Sequence, residues 1–109
     1  MEPRAQKMAK NEALFRDLNE RIKRAMGSTM LPHEKQQFIC ECGREDCFEE
    51  IELTFSEYES LRQNPRHFAV LRDHDAPEIE KVVATYQAYI VVEKIGVGAE
   101  IVEELDPRS

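Results

Sequence analysis

The sequence reads as an α+β protein: an N-terminal amphipathic helix followed by a small, mainly antiparallel sheet with a metal knuckle. Three observations carry this reading. Residues 4–26 contain no glycine or proline and are rich in Ala, Glu, Lys, Arg and Met, the residues that favour helix. From residue 37 onward the pattern shifts to short runs of period two and of β-branched residues, which favour strands. Between the two regimes all three cysteines of the chain fall within eight residues, Cys40-Glu41-Cys42-Gly43-Arg44-Glu45-Asp46-Cys47. The expected organisation is a helix over 1–26, a linker over 27–36 and a metal-stapled domain over 37–107.

In the helix, Met8, Phe15, Leu18, Ile22 and Met26 form a one-sided apolar stripe, with Arg16, Glu20, Arg21 and Arg24 off it and Asn11 interrupting it. Such a face either covers the protein's own sheet or meets a partner, and it is too short for a sustained coiled coil. Gly27-Ser28 ends the helix. Gln37-Phe38-Ile39 begins a strand, and Ile51, Leu53 and Phe55 alternate with Glu50, Glu52 and Thr54 in a second one with an acidic outer face. The cysteines therefore sit in the turn of a hairpin. Ser56-x-x-Glu59 fits a capping box for a short helix that stops before Asn64-Pro65, with Tyr58 and Leu61 inward. His67–Arg72 reads as a strand. Residues 78–95 fit a helix by spacing, but their β-branched density favours a hairpin turning near Gln87. Gly96-Val97-Gly98 is expected to be a turn, and the acidic tail from Ala99 to Ser109 to be frayed.

The cysteine spacing carries the chemistry. Thiolate sulfur suits zinc, which takes four ligands in a tetrahedron. Gly43 lies where such a loop commonly needs a positive φ. C-x-C is tighter than the usual C-x2-C, so the loop is no standard finger. A fourth ligand is required from the histidines. His74, between Asp73 and Asp75, ranks first, then His67, then His33. The expected set is Cys40, Cys42, Cys47 and His74 around Zn2+. A disulfide with one thiol left over fits worse, since the count is odd and no secretory segment follows Met1. The surrounding carboxylates are expected to raise the thiol pKa values and slow oxidation.

Enzyme chemistry finds little footing. H-E-x-x-H and the deaminase H-x-E…P-C-x-x-C patterns are absent, and His74-Asp75 lacks the companions a metal phosphohydrolase needs. Charge divides the chain of 109 residues: residues 1–35 carry a net +3 and residues 36–109 a net −10, giving −7 in all. The acidic body would repel a phosphate backbone, so nucleic acid could be met only by Arg16, Arg21, Lys23 and Arg24. No apolar run approaches the roughly 20 residues of a membrane helix. The expected function is thus a non-enzymatic zinc-binding regulatory or adaptor protein. It would be cytoplasmic, monomeric or homodimeric, and would meet a protein partner through the helix. Deleting residues 1–26 should then leave a folded, metal-loaded core. A nucleic-acid-binding zinc protein and a thiol-based zinc switch are the alternatives.

The segments CECGREDC, IELTFSEYESLR, NPRHFAVLRDHD and YIVVEKIG together resemble a group of small bacterial proteins of the actinobacterial type, over roughly residues 11–107. The resemblance implies a C-x-C-x4-C…H zinc site at Cys40, Cys42, Cys47 and His74 and brings no agreed activity. The group pattern has glycine just before the histidine, where this chain has Arg72-Asp73.

Overall fold

The computed structural model describes residues 3–26, 31, 33–44 and 46–108. Helix α1 (Pro3–Met26) leads to strands β1 (Lys35–Ile39) and β2 (Glu50–Thr54), then helix α2 (Phe55–Leu61) and strand β3 (His67–Val70). Strands β4 (Glu80–Thr85) and β5 (Ile90–Lys94) and helix α3 (Val97–Glu104) complete the order. β1 and β2 form one antiparallel pair, and β3-β5-β4 a three-stranded antiparallel sheet. The α+β class and the hairpin over 78–95 are as expected. Strand β1 begins at Lys35, inside the expected linker, most of whose other residues (27–30 and 32) lie outside the described ones.

The alternation in β2 works as read: Ile51 and Leu53 are buried and Glu50 and Glu52 exposed. Phe38 of β1 pairs with Ile51 in register and stacks on Tyr58 of α2, ring centroids 4.6 Å apart. Phe68, Val70 and Val92 join this core, which α2 closes with Tyr58 and Leu61.

Four expectations need correction. The capping box of α2 is Thr54 with Glu57, two residues earlier than Ser56-x-x-Glu59: Thr54 Oγ1 accepts from Glu57 N at 3.0 Å, and Glu57 Oε1 accepts from Thr54 N at 2.7 Å. Phe55, read as the last inward strand position, is the first helical residue. The chain after Gly96 is a helix, not a frayed tail. α3 buries Gly98, Ala99 and Val102 and packs on α1, where a Cβ at Gly98 would stand 3.1 Å from Lys94 Cε and 3.7 Å from Ala9 Cβ. Beyond it Asp106 pairs with Arg62, and Arg108 clasps Glu20 and Glu59; Ser109 lies outside the described residues.

The largest correction concerns α1. Its buried face is Ala9, Glu12, Ala13, Phe15, Arg16, Asn19 and Glu20, and at 3.6 residues per turn most of it is centred roughly 110° from the apolar stripe. Asn11, read as an interruption, makes a contact described below, and Leu14 is 54% exposed. Arg16, read as a surface cation, is fully buried. Its guanidinium lies 4.9 Å from the Phe68 ring centroid and donates to Pro65 O at 2.7 Å and Val102 O at 2.6 Å. It thereby places a cation at the C-terminal end of α3, where helical carbonyls are unpaired. Burial lowers the Arg16 pKa. Lys94 of β5 is buried between Glu12 of α1 and Glu80 of β4. Burial, reinforced by the nearby Glu80, raises the Glu12 pKa well above the usual carboxylate value. Helix α1 and the segment 37–107 bury polar groups against each other, so removing residues 1–26 would expose Lys94, Glu80 and Glu41 rather than free a finished core.

Candidate metal centre

The knuckle is the connection between β1 and β2, and its backbone explains the C-x-C spacing. Cys40 N–H donates to Glu49 O at 2.8 Å, on the β2 side, and Glu41 N–H to Ala69 O at 2.9 Å, on the β3 side. Successive N–H groups reaching opposite ways is strand behaviour, in which side chains also alternate. Cys40 and Cys42 therefore share one face, and Glu41 points into the protein. Its carboxylate accepts Ala69 N–H at 3.0 Å and Asn19 Nδ2–H at 2.8 Å. Glu41 is fully buried, and burial raises its pKa to about 6 despite these donors. Gly43 then turns the chain at φ 78°. A Cβ there would stand 2.7 Å from Glu12 Cγ and 2.9 Å from Met8 O, so glycine is required by both conformation and space.

His74 is delivered by the loop after β3. Asp73 has φ 69°, a left-handed conformation that aspartate tolerates better than most residues. Arg44 Nη2–H donates to Asp73 O at 3.2 Å, tying that loop to the knuckle.

Ligand atoms of Cys40, Cys42, Cys47 and His74 all lie within 4.8 Å of one another. His74 Nδ1 is 3.7 Å from Cys40 Sγ and 3.6 Å from Cys47 Sγ. The cysteines are 0, 1 and 5% exposed and none is in a disulfide. Cys40 Sγ accepts the Leu71 N–H at 3.2 Å, and the backbone N–H groups of Arg44 and Glu49 act on Cys42 and Cys47 in the same sense. These donors favour thiolate over thiol. Hydrogen bonding from Cys40 draws Cys42 down to about 5, which in turn holds Cys40 high, and burial raises Cys47. The surrounding carboxylates are not the main cause of any of these shifts. Four soft or borderline donors converging on one point can hold a metal ion.

The other histidines do not converge. His67 Nε2 is 3.0 Å from Glu93 Oε1 on the neighbouring strand β5, and His33 is exposed. Glu41, Asn19 and Asn11 support the site without a motif that marks them. An acidic residue between two ligands, and polar residues within a helical stripe, were the only traces.

No family model, curated protein or solved structure matches the chain. Among the described residues no helix is long and apolar enough to cross a membrane.

Proposed function

We propose that the protein is a non-enzymatic zinc protein whose ion is structural and which acts by contact with another protein. One observation carries the metal assignment. With Zn–S about 2.3 Å and Zn–N about 2.0 Å, tetrahedral geometry puts sulfur and nitrogen about 3.5 Å apart. His74 Nδ1 lies 3.6 Å from Cys47 Sγ and 3.7 Å from Cys40 Sγ, close to that separation. Four protein donors fill a tetrahedron and leave no position for a water nucleophile, which supports a structural role. Three thiolates also donate enough charge to make the ion a weak Lewis acid.

The partner surface that fits is the outer face of α1. Lys10, Leu14, Arg21 and Arg24 are exposed there, a face with net positive charge although Arg21 pairs with Asp17 at 3.2 Å, on a chain otherwise strongly acidic. Such a face suits an acidic protein surface. The nucleic-acid reading has less support, because Arg16 is buried and Lys23 pairs with Glu59 at 3.1 Å.

A native mass spectrum of the full chain tests the metal: one zinc per chain is expected, lost in Cys42→Ser. It reads monomer against dimer at the same time. Protein grown without added zinc that keeps its fold and shows no metal would overturn the assignment. For the surface, Lys10→Glu with Arg24→Glu should abolish cross-linking to the partner while leaving zinc in place. Cross-linking unchanged by that charge reversal would remove α1 as the contact.

A further inference from the structure

The geometry points to Asn11 and Asn19 as positioning residues of the metal centre, so that metal loading and docking of α1 form one equilibrium. This rests on the metal reading above and adds a regulation to it.

Asn19 meets the entry of the knuckle as a strand would. Its Oδ1 accepts Ile39 N–H at 2.8 Å, and its Nδ2 donates to Ile39 O at 2.9 Å and Glu41 Oε2 at 2.8 Å. The Asn19 side chain is thus fully used on two residues that immediately precede and separate the first two ligands. Asn11, eight residues earlier and about 80° round the helix, donates from Nδ2 to Gly43 O at 3.2 Å, just past Cys42. Met8 O and the Glu12 side chain of the same helix fill the space over Gly43. The stretch 39–43, which presents Cys40 and Cys42, is held by α1 at both ends and by β3 at its middle, through Glu41.

The consequence follows from the alternation of side chains. Cys40 and Cys42 face the ion only while Glu41 faces inward, and Glu41 is inward only while Asn19 and Ala69 receive it. A knuckle that relaxes without metal withdraws Glu41 and Ile39 from Asn19 and leaves a buried amide without partners, which costs free energy at the helix. Conversely, a helix that lifts away removes the support that aims two of the four ligands. Such coupling is reciprocal: the factor by which zinc favours docked α1 is the factor by which docked α1 favours zinc. Zinc occupancy would therefore control whether the polar inner face of α1 is available.

The test measures zinc affinity by chelator competition on the full chain, with hydrogen exchange of residues 4–26 before and after the metal is stripped. Loss of such supports typically weakens metal binding about 10–100-fold. Asn19→Ala is expected in that range and Asn11→Ala, which loses one hydrogen bond, below it. Leu61→Ala, which thins the core under α2, controls for lost stability and should keep its zinc affinity within about twofold. Stripping zinc should speed exchange along α1 while the β4–β5 ladder stays protected. Should Asn19→Ala fail to fold, Asn11→Ala and the wild-type exchange decide. If wild type binds zinc but its α1 exchange ignores the metal and Asn11→Ala binds as tightly, the coupling is overturned and the metal assignment stands. If wild type binds no zinc at all, both fall together.

Discussion

The molecule has two interiors of opposite character. Under α2, Phe38, Ile51, Leu53, Tyr58, Phe68, Val70 and Val92 make an apolar core. Under α1, the fully or nearly fully buried groups include Glu12, Arg16, Asn19, Glu41, Glu80 and Lys94. The first is held by removal of apolar surface from water, which is non-directional and tolerant of small shifts. The second is held by paired charges and fixed hydrogen bonds, where each group is costly unless its partner is present. The difference teaches how a chain of this size joins a helix to a metal loop. The apolar side supplies cohesion, and the polar side supplies register.

Mutations on the two sides should therefore differ in kind. Removing Lys94 leaves Glu12 and Glu80 together in the interior with no cation, so Lys94→Met is expected to cost about 3–5 kcal/mol in denaturant unfolding. Restoring neutrality with Glu12→Gln and Glu80→Gln in the same chain should recover much of that loss. If Lys94→Met alone is neutral, the polar interior is not held as described.

Phe38→Ala belongs to the apolar side and should cost about 3–5 kcal/mol, at the lower end if Tyr58 relaxes into the space. No compensating second change of charge should rescue it, which separates the two interiors.

At the border lies Arg108. Burial would raise Glu20, but hydrogen bonds and charge from Arg108 outweigh it and hold Glu20 below its ordinary 4.5; the same bonds hold Glu59 low. A depressed carboxylate contributes stability that is present above its unfolded pKa and lost as pH falls through the folded one. Arg108→Ala should thus cost about 1–2 kcal/mol at neutral pH, and the gap from wild type should shrink once pH drops below 4.5. A gap that is constant from pH 7 to 3 would show that the clasp contributes nothing through these two groups.

The smallest effect sharpens the sequence reading itself. Thr54→Ala should cost about 1 kcal/mol by uncapping α2, and Ser56→Ala should stay within about 0.5 kcal/mol. The reverse order would restore the other capping box.

What was legible follows the same division. Period-two alternation located β2, β-branched density located the β4–β5 hairpin, and three clustered thiols with His74 located the candidate metal centre. Each is a local pattern whose physical cause is local. The inner face of α1 was not legible, because hydropathy assumes that buried means apolar, and here Arg16 and Glu12 are inside by virtue of partners some 50 to 80 residues away in sequence. The same assumption made the apolar stripe look like the packing face. Helix α3 was missed because Gly96 and Gly98 look like turn residues, whereas Gly98 is there to let two helices approach.

The three-stranded sheet has two outer rims, and both are closed to strangers. Along β3 the rim is taken by Glu41, whose backbone N–H and carboxylate occupy Ala69 as a further strand would. Along β4 the ladder slips between Val82 and Ala84, and Lys81 stands in solvent beside it. Val82 and Val83 are 45 and 42% exposed there, sticky enough to recruit other chains if the rim were straight. An irregular, charged border denies neighbouring molecules a template, so crowded copies have no easy route to stacking into fibres.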